Sequence, residues 1–170
     1  MKKESKVEFL RKWGITEPTL LRAGFSWLRY KNPPEKGIYW YYFSRWVRQR
    51  DVDIWGTCIS CGKPITFDTC DAGHFMPAAS CGRDLLFDPK NVNAECSRCN
   101  AFDETHLLGY AEGLDIRYGV GTADRLRQQR NQYLETRTTV RDWKADVYAD
   151  KIRELPTYQQ AMRDMENNVV

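Results

Sequence analysis

The chain has 170 residues with a formal net charge of +3, and 42% of its residues are hydrophobic and 13% aromatic. This composition excludes a disordered chain, and the length suffices for one folded domain or for a compact centre with helical extensions. No apolar run is long enough to span a bilayer and no signal peptide precedes the cysteines, so we expect no membrane partner and a cytoplasmic location.

The charge is unevenly distributed along the chain. Residues 1–50 hold 12 Lys and Arg against 4 Asp and Glu, whereas residues 51–120 hold 5 against 11. A basic arm beside an acidic, cysteine-rich centre indicates a protein that attracts a polyanion such as nucleic acid with one part and holds divalent cations with another. The alternative is that the basic residues only solvate a helix surface.

Residues 1–37 are predicted to form a basic, helical N-terminal extension. Apolar positions recur between residues 5 and 30, with interruptions at Gly14 and Pro18, and this pattern predicts one or two short helices. Residues 31–37 contain two prolines and a glycine, which predict a loop.

Residues 38–50 are dense in aromatic side chains, and arginines flank them. We interpret the aromatic face as the packing surface of a core or dimer helix. The alternative is that the aromatic rings stack on splayed bases, and Arg45 and Arg48 are candidate nucleic-acid contacts. Helical spacing places four aromatic residues on this face: Tyr39, Tyr42, Phe43 and Trp46.

Two Cys-x2-Cys pairs, Cys58-Ile-Ser-Cys61 and Cys96-Ser-Arg-Cys99, are typical of zinc knuckles. Two residues between thiolates let both sulfurs of a tight turn face one ion, and two such turns complete a tetrahedral shell. Disulfides or a redox pair are the alternatives, but the chain shows neither a secreted framework nor a βαβ context. The other two cysteines, Cys70 and Cys81, lack this spacing and are expected to be buried.

The remaining elements are predicted from turn and helix-breaking residues. Across the two knuckles we expect two short strands, a loop with turn chemistry at residues 88–91, and the start of a helix. Residues 101–118 are predicted to be helical, with Gly119 near the helix end. Long helices, broken at Pro156, are predicted for residues 121–170.

The segment between the knuckles carries polar residues in a suggestive order. A ββα-metal finger has a histidine at the end of one strand, an asparagine in the following loop and a metal ligand on the helix, and His74, Asn91 and Asn100 follow that order. Over about residues 38–120 the chain resembles the HNH endonucleases and, more closely, the NinG/Rap family of phage recombination proteins; residues 1–36 are not covered. The matching stretches are Phe43-Ser-Arg-Trp-Val-Arg-Gln-Arg-Asp51, Cys58-Ile-Ser-Cys-Gly62, Asp71-Ala-Gly-His-Phe75, Phe87-Asp-Pro-Lys-Asn-Val-Asn93, Cys96-Ser-Arg-Cys-Asn100 and Gly113-Leu-Asp-Ile-Arg-Tyr-Gly119.

We therefore predict a mainly helical α+β fold. The resemblance implies a zinc-stapled, HNH-like ββα-metal finger in a nuclease domain of residues 38–120, which we expect to be flanked by the helical extension 1–37 and by helices in residues 121–170. The resemblance implies a phage-encoded endonuclease that acts in the bacterial host on branched DNA such as Holliday junctions and D-loops. Because a junction is resolved by two symmetric cuts, we expect a homodimer, formed through the helix at 38–50.

His74 is the candidate general base, because a neutral imidazole can deprotonate water near neutral pH. One Mg²⁺ or Mn²⁺ would neutralise the scissile phosphate and stabilise the departing oxygen. Asn91 is expected to orient His74 through side-chain hydrogen bonds, with a plain turn asparagine as the alternative. The second histidine, His106, is expected to be a structural or surface residue.

The protein ligands of the catalytic cation are predicted from the strand pattern. Many HNH sites carry Asp directly before the catalytic histidine, where this chain has Gly73. Asp71 lies two positions earlier and, on an extended strand, shares the face of residue 73. Asp71 and Asn100 are therefore the expected ligands, and Asp103 and Glu104 are the alternatives within one helical turn of Asn100.

Arg83 and Arg98 are candidate phosphate contacts, although a single arginine near a site is often only a surface charge. The rival function is a non-catalytic zinc module that binds branched or single-stranded DNA in recombination. The glycine at position 73 favours this rival. His74 and Asn100 favour the enzyme, since a zinc knuckle alone needs neither residue.

Overall fold

The computed structural model describes residues 5–16, 34–102, 106–138 and 144–167. They form a mainly helical α+β protein with a two-stranded sheet, which confirms the predicted fold class at this level. The expectations for residues 17–33, and for Asp103 and Glu104, lie outside these ranges. The elements in chain order are α1 (Lys6–Lys12), α2 (Pro34–Ile54), β1 (Cys70–His74), α3 (Gly82–Leu86), β2 (Val92–Cys96), α4 (Ser97–Phe102), α5 (His106–Tyr118), α6 (Thr122–Thr136), α7 (Ala145–Glu154) and α8 (Pro156–Asn167).

The chain divides into two compact units. The first comprises Met1–Trp46 and Trp143–Val170, and the second comprises Val47–Asp142. The prediction that separate domains meet at residues 37 and 120 remains a prediction. No described helix is long and apolar enough to cross a membrane.

The aromatic face of α2 forms the core of the first unit. The ring of Tyr39 lies 6.0 Å from that of Tyr148 on α7, and the ring of Tyr42 meets that of Tyr158 on α8 edge-on at 5.3 Å. The Tyr42 hydroxyl donates a hydrogen bond to the carbonyl of Trp13, which follows α1. The interpretation of this face as core packing is confirmed, because Tyr39 and Tyr42 are at least 95% buried.

Helix α2 begins four residues earlier than residue 38, so the prediction of a loop through residue 37 is wrong for residues 34–37. The physical reason is the position of Pro34. Its ring fixes φ near the helical value, and its missing N–H costs nothing at the first helical position, where that donor has no intrahelical partner. Proline here starts a helix, whereas the loop prediction treated it only as a breaker.

The second unit is organised around the antiparallel pair β1 and β2. The register pairs Asp71 with Glu95 and Gly73 with Asn93, and His74 ends β1. Because side chains alternate between the faces of a strand and paired residues lie side by side, these four paired positions share one face of the sheet. The two predicted strands and the helix start after them are confirmed.

The turn between α3 and β2 has the predicted chemistry. The side chain of Asp88 accepts hydrogen bonds from the backbone N–H groups of Lys90 at 2.7 Å and Asn91 at 3.3 Å. This Asx-type turn is favoured by the Asp-Pro sequence. It delivers Asn91 into the interior at the start of β2.

A buried carboxylate, Asp51, joins three elements of the second unit. One oxygen accepts from the backbone N–H of Ala94 on β2 at 2.6 Å and from Arg117 of α5 at 3.3 Å. The other oxygen accepts from Arg50 at 2.7 Å. Since every oxygen of this buried group is partnered, the network can hold the C-terminal turns of α2 against the sheet without leaving an uncompensated charge.

Helix α5 approaches the first zinc knuckle through two glycines. A Cβ atom added at Gly109 would collide with the carbonyl oxygen of Ser60, and one at Gly113 would collide with the carbonyl oxygen of Ile59. These glycines are four residues apart and so lie on one face of the helix. Their lack of side chains sets how closely α5 can pack on the knuckle.

The helix ends follow the predicted breakers. Helix α5 ends at Tyr118 and is followed by Gly119, whose φ of 95° is a conformation that glycine adopts at little cost. Helix α7 ends at Glu154 and α8 begins at Pro156, so the break predicted there is confirmed. Tyr148 and Ile152 supply the buried face of α7.

We predict that Gly113→Ala destabilises the protein by about 1–3 kcal/mol, because the new methyl group meets backbone that cannot rotate away. The gain in helix propensity of about 1 kcal/mol is smaller than this clash. Urea unfolding of the zinc-loaded chain measures the change. Glu112→Ala on the exposed side of α5 is the control and should stay within about 0.5 kcal/mol. Equal stability of Gly113→Ala and the wild type would contradict the close packing.

Candidate functional site

The four knuckle cysteines converge on one point. Their sulfur atoms all lie within 4.8 Å of one another, and those of Cys61 and Cys96 are 3.8 Å apart. Four sulfurs bound to a tetrahedral zinc at about 2.3 Å would be about 3.8 Å apart, so the cluster has the size that zinc requires. All six cysteines are free thiols, so the arrangement owes nothing to disulfides.

The local backbone explains how each knuckle turns. In the first, the N–H of Cys58 donates to the carbonyl of Lys63 at 2.8 Å, and the N–H of Gly62 donates to the carbonyl of Cys58 at 2.9 Å. The second spans the junction of β2 and α4, so that a strand end and a helix turn present its two sulfurs. A single ion bound to these four sulfurs would join the first knuckle to the sheet and to the helix that follows it.

Burial raises the pKa of the Cys58 and Cys99 thiols. Zinc binds cysteine as the thiolate, so a cation is needed to keep these two sulfurs deprotonated at neutral pH.

Cys70 and Cys81 lie outside the cluster and are buried, as predicted. Burial raises the pKa of Cys70 to about 11, which leaves it a neutral core side chain.

His74 ends β1, and its side chain is partly exposed. Its Nε2 lies 3.0 Å from the carbonyl oxygen of Leu86, at the end of α3. A carbonyl can only accept, so Nε2 carries the proton and Nδ1 is the unprotonated, basic nitrogen. Burial lowers the pKa of His74, while the hydrogen bond to Leu86 opposes that shift. The imidazole is therefore neutral at neutral pH.

Asn91 is completely buried and cross-links the segment that follows His74. Its side-chain oxygen accepts from the N–H of Met76 at 2.7 Å, and its amide group donates to the carbonyls of Met76 at 3.2 Å and Leu85 at 2.8 Å. Its backbone carbonyl accepts from the N–H of Phe75 at 2.9 Å. These bonds hold both the chain after His74 and the helix that carries its partner Leu86.

The side chains of Glu95 and Asn100 both reach the place that a side chain on Gly73 would occupy. A Cβ atom placed on Gly73 would lie 2.9 Å from Oδ1 of Asn100 and 2.9 Å from the carboxyl carbon of Glu95, and would collide with Oε2 of Glu95. Asn100 is exposed on α4, whereas Glu95 is fully buried on β2. The space of the side chain missing at position 73 is thus taken by a carboxylate from the neighbouring strand.

The two oxygens of Glu95 differ in their partners. Oε1 accepts from the hydroxyl of Ser60 at 2.5 Å and lies 2.8 Å from Nδ1 of His106. Oε2 is buried and has no hydrogen-bond partner within the described parts of the chain. Burial raises the pKa of Glu95, a shift that the hydrogen bonds from Ser60 and His106 oppose and the nearby charge of Asp71 reinforces.

Glu95 was missed in the sequence, and His106 was expected to be structural or on the surface. The signal that points to Glu95 is its position in β2, where it is the one carboxylate in a buried strand and directly precedes Cys96 of the second knuckle. A charge in a buried strand requires compensation, and this requirement marks the position as unusual. Asp71 lies opposite Glu95 in the register and is partly exposed.

The four arginines predicted to contact nucleic acid have different surroundings. Arg48 donates to the carbonyl of Phe67 at 3.2 Å and stacks 4.2 Å over its ring. Arg45 lies 5.6 Å from the ring of Tyr41. Two others, Arg83 on α3 and Arg98 in the second knuckle, are exposed. The structure thus gives Arg48 a structural use, and the DNA contacts stay predictions.

Comparison with known proteins locates the chain among bacteriophage proteins. The profile of a family described as "Bacteriophage Lambda NinG protein" matches residues 40–158. Proteins named "Protein ninG" from Escherichia phage 933W and Escherichia phage lambda are each 31% identical over 122 residues, which is 72% of this chain and 53% and 52% of theirs. The corresponding protein of Salmonella phage P22 is 31% identical over 109 residues, 64% of this chain and 51% of its own.

The chain thus spans about half the length of the curated relatives that it matches. No solved structure matches it significantly. The matched region contains both knuckles, His74, Glu95 and Asn100.

We predict that Cys58→Ser, or a strong chelator, removes the zinc and loosens residues 55–102 before the helices of the first unit. The reason is that a two-stranded sheet is marginally stable without its staple. Zinc content by elemental analysis and hydrogen exchange by peptide mass spectrometry measure the two effects. Cys81→Ala is the control and should keep one zinc per chain. Retention of a full zinc equivalent by Cys58→Ser would contradict the four-sulfur site.

Proposed function

The chain belongs to the NinG family of bacteriophage proteins, and on that premise we propose that it is a metal-dependent endonuclease that cleaves branched DNA in phage recombination. Holliday junctions and D-loops are the proposed substrates. We further infer that β1, β2 and α4 form an HNH-like ββα-metal finger stapled by zinc. The observation that carries the proposal is the 3.0 Å contact between Nε2 of His74, at a strand end, and the carbonyl oxygen of Leu86, in a finger whose helix presents Asn100.

The proposed base is His74. The bond from Nε2–H to the carbonyl of Leu86 leaves Nδ1 as the unprotonated nitrogen, and the lowered pKa keeps the imidazole neutral at neutral pH. Asn91 acts as a positioning residue, because it holds the backbone after His74 and the carbonyl of Leu85, next to the acceptor Leu86. We do not propose His106 as the base, because its Nδ1 lies 2.8 Å from the carboxylate of Glu95.

We propose that Mg²⁺ or Mn²⁺ is held by Asn100 together with a carboxylate of the sheet, for which the sequence suggests Asp71. When bound, the cation would neutralise charge on the scissile phosphate and on the departing 3′ oxygen. The residues present fit such an ion, because Asn100 is exposed and a buried carboxylate oxygen without a partner lies beside it. Hard divalent cations prefer such oxygen ligands.

Two of the four proposed DNA contacts follow from exposed charge. Arg83 and Arg98 lie on the elements that flank the site, so they are placed to bind phosphates beside the scissile bond. Arg45 and Arg48 belong to the same proposal, although Arg48 also donates a hydrogen bond to the carbonyl of Phe67.

We propose that the protein acts as a homodimer in the cytoplasm of the host cell. The aromatic face of α2 is occupied inside the protomer, so the dimer contact must use another surface.

We predict that His74→Ala abolishes cleavage of a synthetic four-way junction, with a loss of at least about 100-fold, while junction affinity changes little. Denaturing gels of labelled strands with Mg²⁺ or Mn²⁺ measure cleavage, and mobility shifts without the metal measure binding. Glu112→Ala is the control and should cleave normally. Full activity in His74→Ala would remove His74 from the mechanism. The rival, a non-catalytic zinc module, predicts binding without any nicked product from the wild type.

We predict that the acid limb of the cleavage rate is centred below pH 6.5, the ordinary pKa of histidine. The base is active when neutral, which requires a pH above its pKa, and burial moves the pKa of His74 downward. Single-turnover rates between about pH 5 and 8 test this, with bound zinc monitored at each pH because acid also protonates thiolates. An acid limb centred at or above pH 6.5 would contradict the assignment.

A further inference from the structure

We propose that Glu95, rather than Asp71, supplies the carboxylate ligand of the catalytic cation, and that Gly73 is required because the Glu95 carboxylate occupies the space of a side chain at that position. The inference rests on the proposed endonuclease function, and it identifies which oxygens of this chain hold the ion. It also accounts for a departure from the HNH pattern. A glycine directly before the histidine leaves room for a ligand from the neighbouring strand.

The first argument is the unequal use of the Glu95 oxygens. Oε1 has two partners, Ser60 and His106, while Oε2 is buried without any in the described structure. Buried polar atoms are almost always satisfied, and an exception indicates a strained, functional or ion-binding position. The charged form of a buried carboxylate needs compensation on both oxygens. A cation at Oε2 provides it.

The second argument is the convergence of Glu95 with Asn100. The three atoms nearest to a Cβ on Gly73 are the carboxyl carbon and Oε2 of Glu95 and Oδ1 of Asn100, all within 2.9 Å. Asn100 comes from α4, beyond the second knuckle, so two elements aim oxygens at one place. Mg²⁺ binds oxygens at about 2.0–2.1 Å and commonly takes only one or two protein ligands, with water and substrate phosphate completing its shell.

The third argument is the support around the carboxylate. Ser60 belongs to the first knuckle and His106 begins α5, so both the zinc site and this helix orient Glu95. Hydrogen bonds to the outer oxygen of a metal-binding carboxylate are a usual way to aim the inner oxygen. Outside the cysteine cluster, the described residues gather no three histidine, cysteine or acidic ligands. The ion proposed here has Glu95 and the Asn100 amide as its protein ligands, with water and substrate phosphate completing its shell.

Asp71 is the weaker candidate on geometry. It lies opposite Glu95 in the register and two residues before Gly73 on β1, so it is further along the strand from His74 than Gly73 is. None of its atoms is among the three nearest to the point where Glu95 and Asn100 meet. Its partly exposed carboxylate adds negative charge near the site, and this charge can attract the cation without direct ligation.

The experiment compares Glu95→Gln, Asp71→Asn and Gly73→Ala in the zinc-loaded full chain, with Mn²⁺ as the probe. Mn²⁺ affinity is measured without DNA by electron paramagnetic resonance of the free ion, and zinc content and circular dichroism verify the fold. We expect Glu95→Gln to weaken Mn²⁺ binding at least about 10-fold, since removing even an outer partner of a metal ligand costs 10–100-fold. Asp71→Asn should change it less than about 3-fold, in line with loss of a screened charge.

Gly73→Ala tests the space independently of charge. It keeps every ligand but places a methyl group where Oε2 lies, so Mn²⁺ binding should fall as in Glu95→Gln. If Gly73→Ala fails to fold, the isosteric Glu95→Gln decides the matter alone. Unchanged Mn²⁺ affinity in Glu95→Gln, or a loss confined to Asp71→Asn, would overturn the assignment.

Failure of the inference is distinguishable from failure of the proposed function. Junction cleavage by the wild type with Mg²⁺ or Mn²⁺, together with unchanged Mn²⁺ binding in Glu95→Gln, would refute the Glu95 ligand and leave the nuclease standing. Conversely, absence of any nicked product from the wild type, with Mn²⁺ binding that depends on Glu95, would support the ion site and refute the nuclease.

Discussion

The structure of the second unit depends on the convergence of four sulfurs on one point. Its sheet has two strands of five residues each, and such a pair is marginally stable by itself in water. The cysteine cluster joins the loop before β1 to the end of β2 and the start of α4. Zinc bound to the four sulfurs would require all these segments to be in place, so its binding free energy would contribute to the free energy of folding. The sheet can then remain small.

The same cluster reaches the candidate catalytic residues through direct contacts. Ser60, inside the first knuckle, donates to Glu95, and the glycines of α5 let that helix pack against the knuckle backbone. Helix α5 in turn delivers His106 to Glu95, and the hydroxyl of Tyr110 donates to the carbonyl of Gly73 at 2.9 Å. Displacement of the knuckle would therefore move both the carboxylate and the strand end that carries His74. The cysteine cluster and the candidate catalytic residues are thus connected by hydrogen bonds and close packing.

Two buried carboxylates of this unit show how hydrogen bonding separates a structural from a functional role. Asp51 has partners on both oxygens, from Arg50, Ala94 and Arg117, so the network is complete. Glu95 has partners on one oxygen only. A complete network rigidifies the fold, whereas an incomplete one retains the capacity to bind something further. Burial alone does not distinguish the two residues, because both are completely buried.

The sequence by itself determined the features that depend on short spacings: the zinc knuckles, the turn at Asp88, the helix break at Pro156 and the position of His74 at a strand end. Each follows from the chemistry of a few consecutive residues. Only the tertiary structure decided that Glu95 fills the space beside Gly73, since those residues lie on different strands and the register sets their distance. It likewise decided that Tyr42 packs against Tyr158, because the partner rings of an aromatic face cannot be read from the face itself.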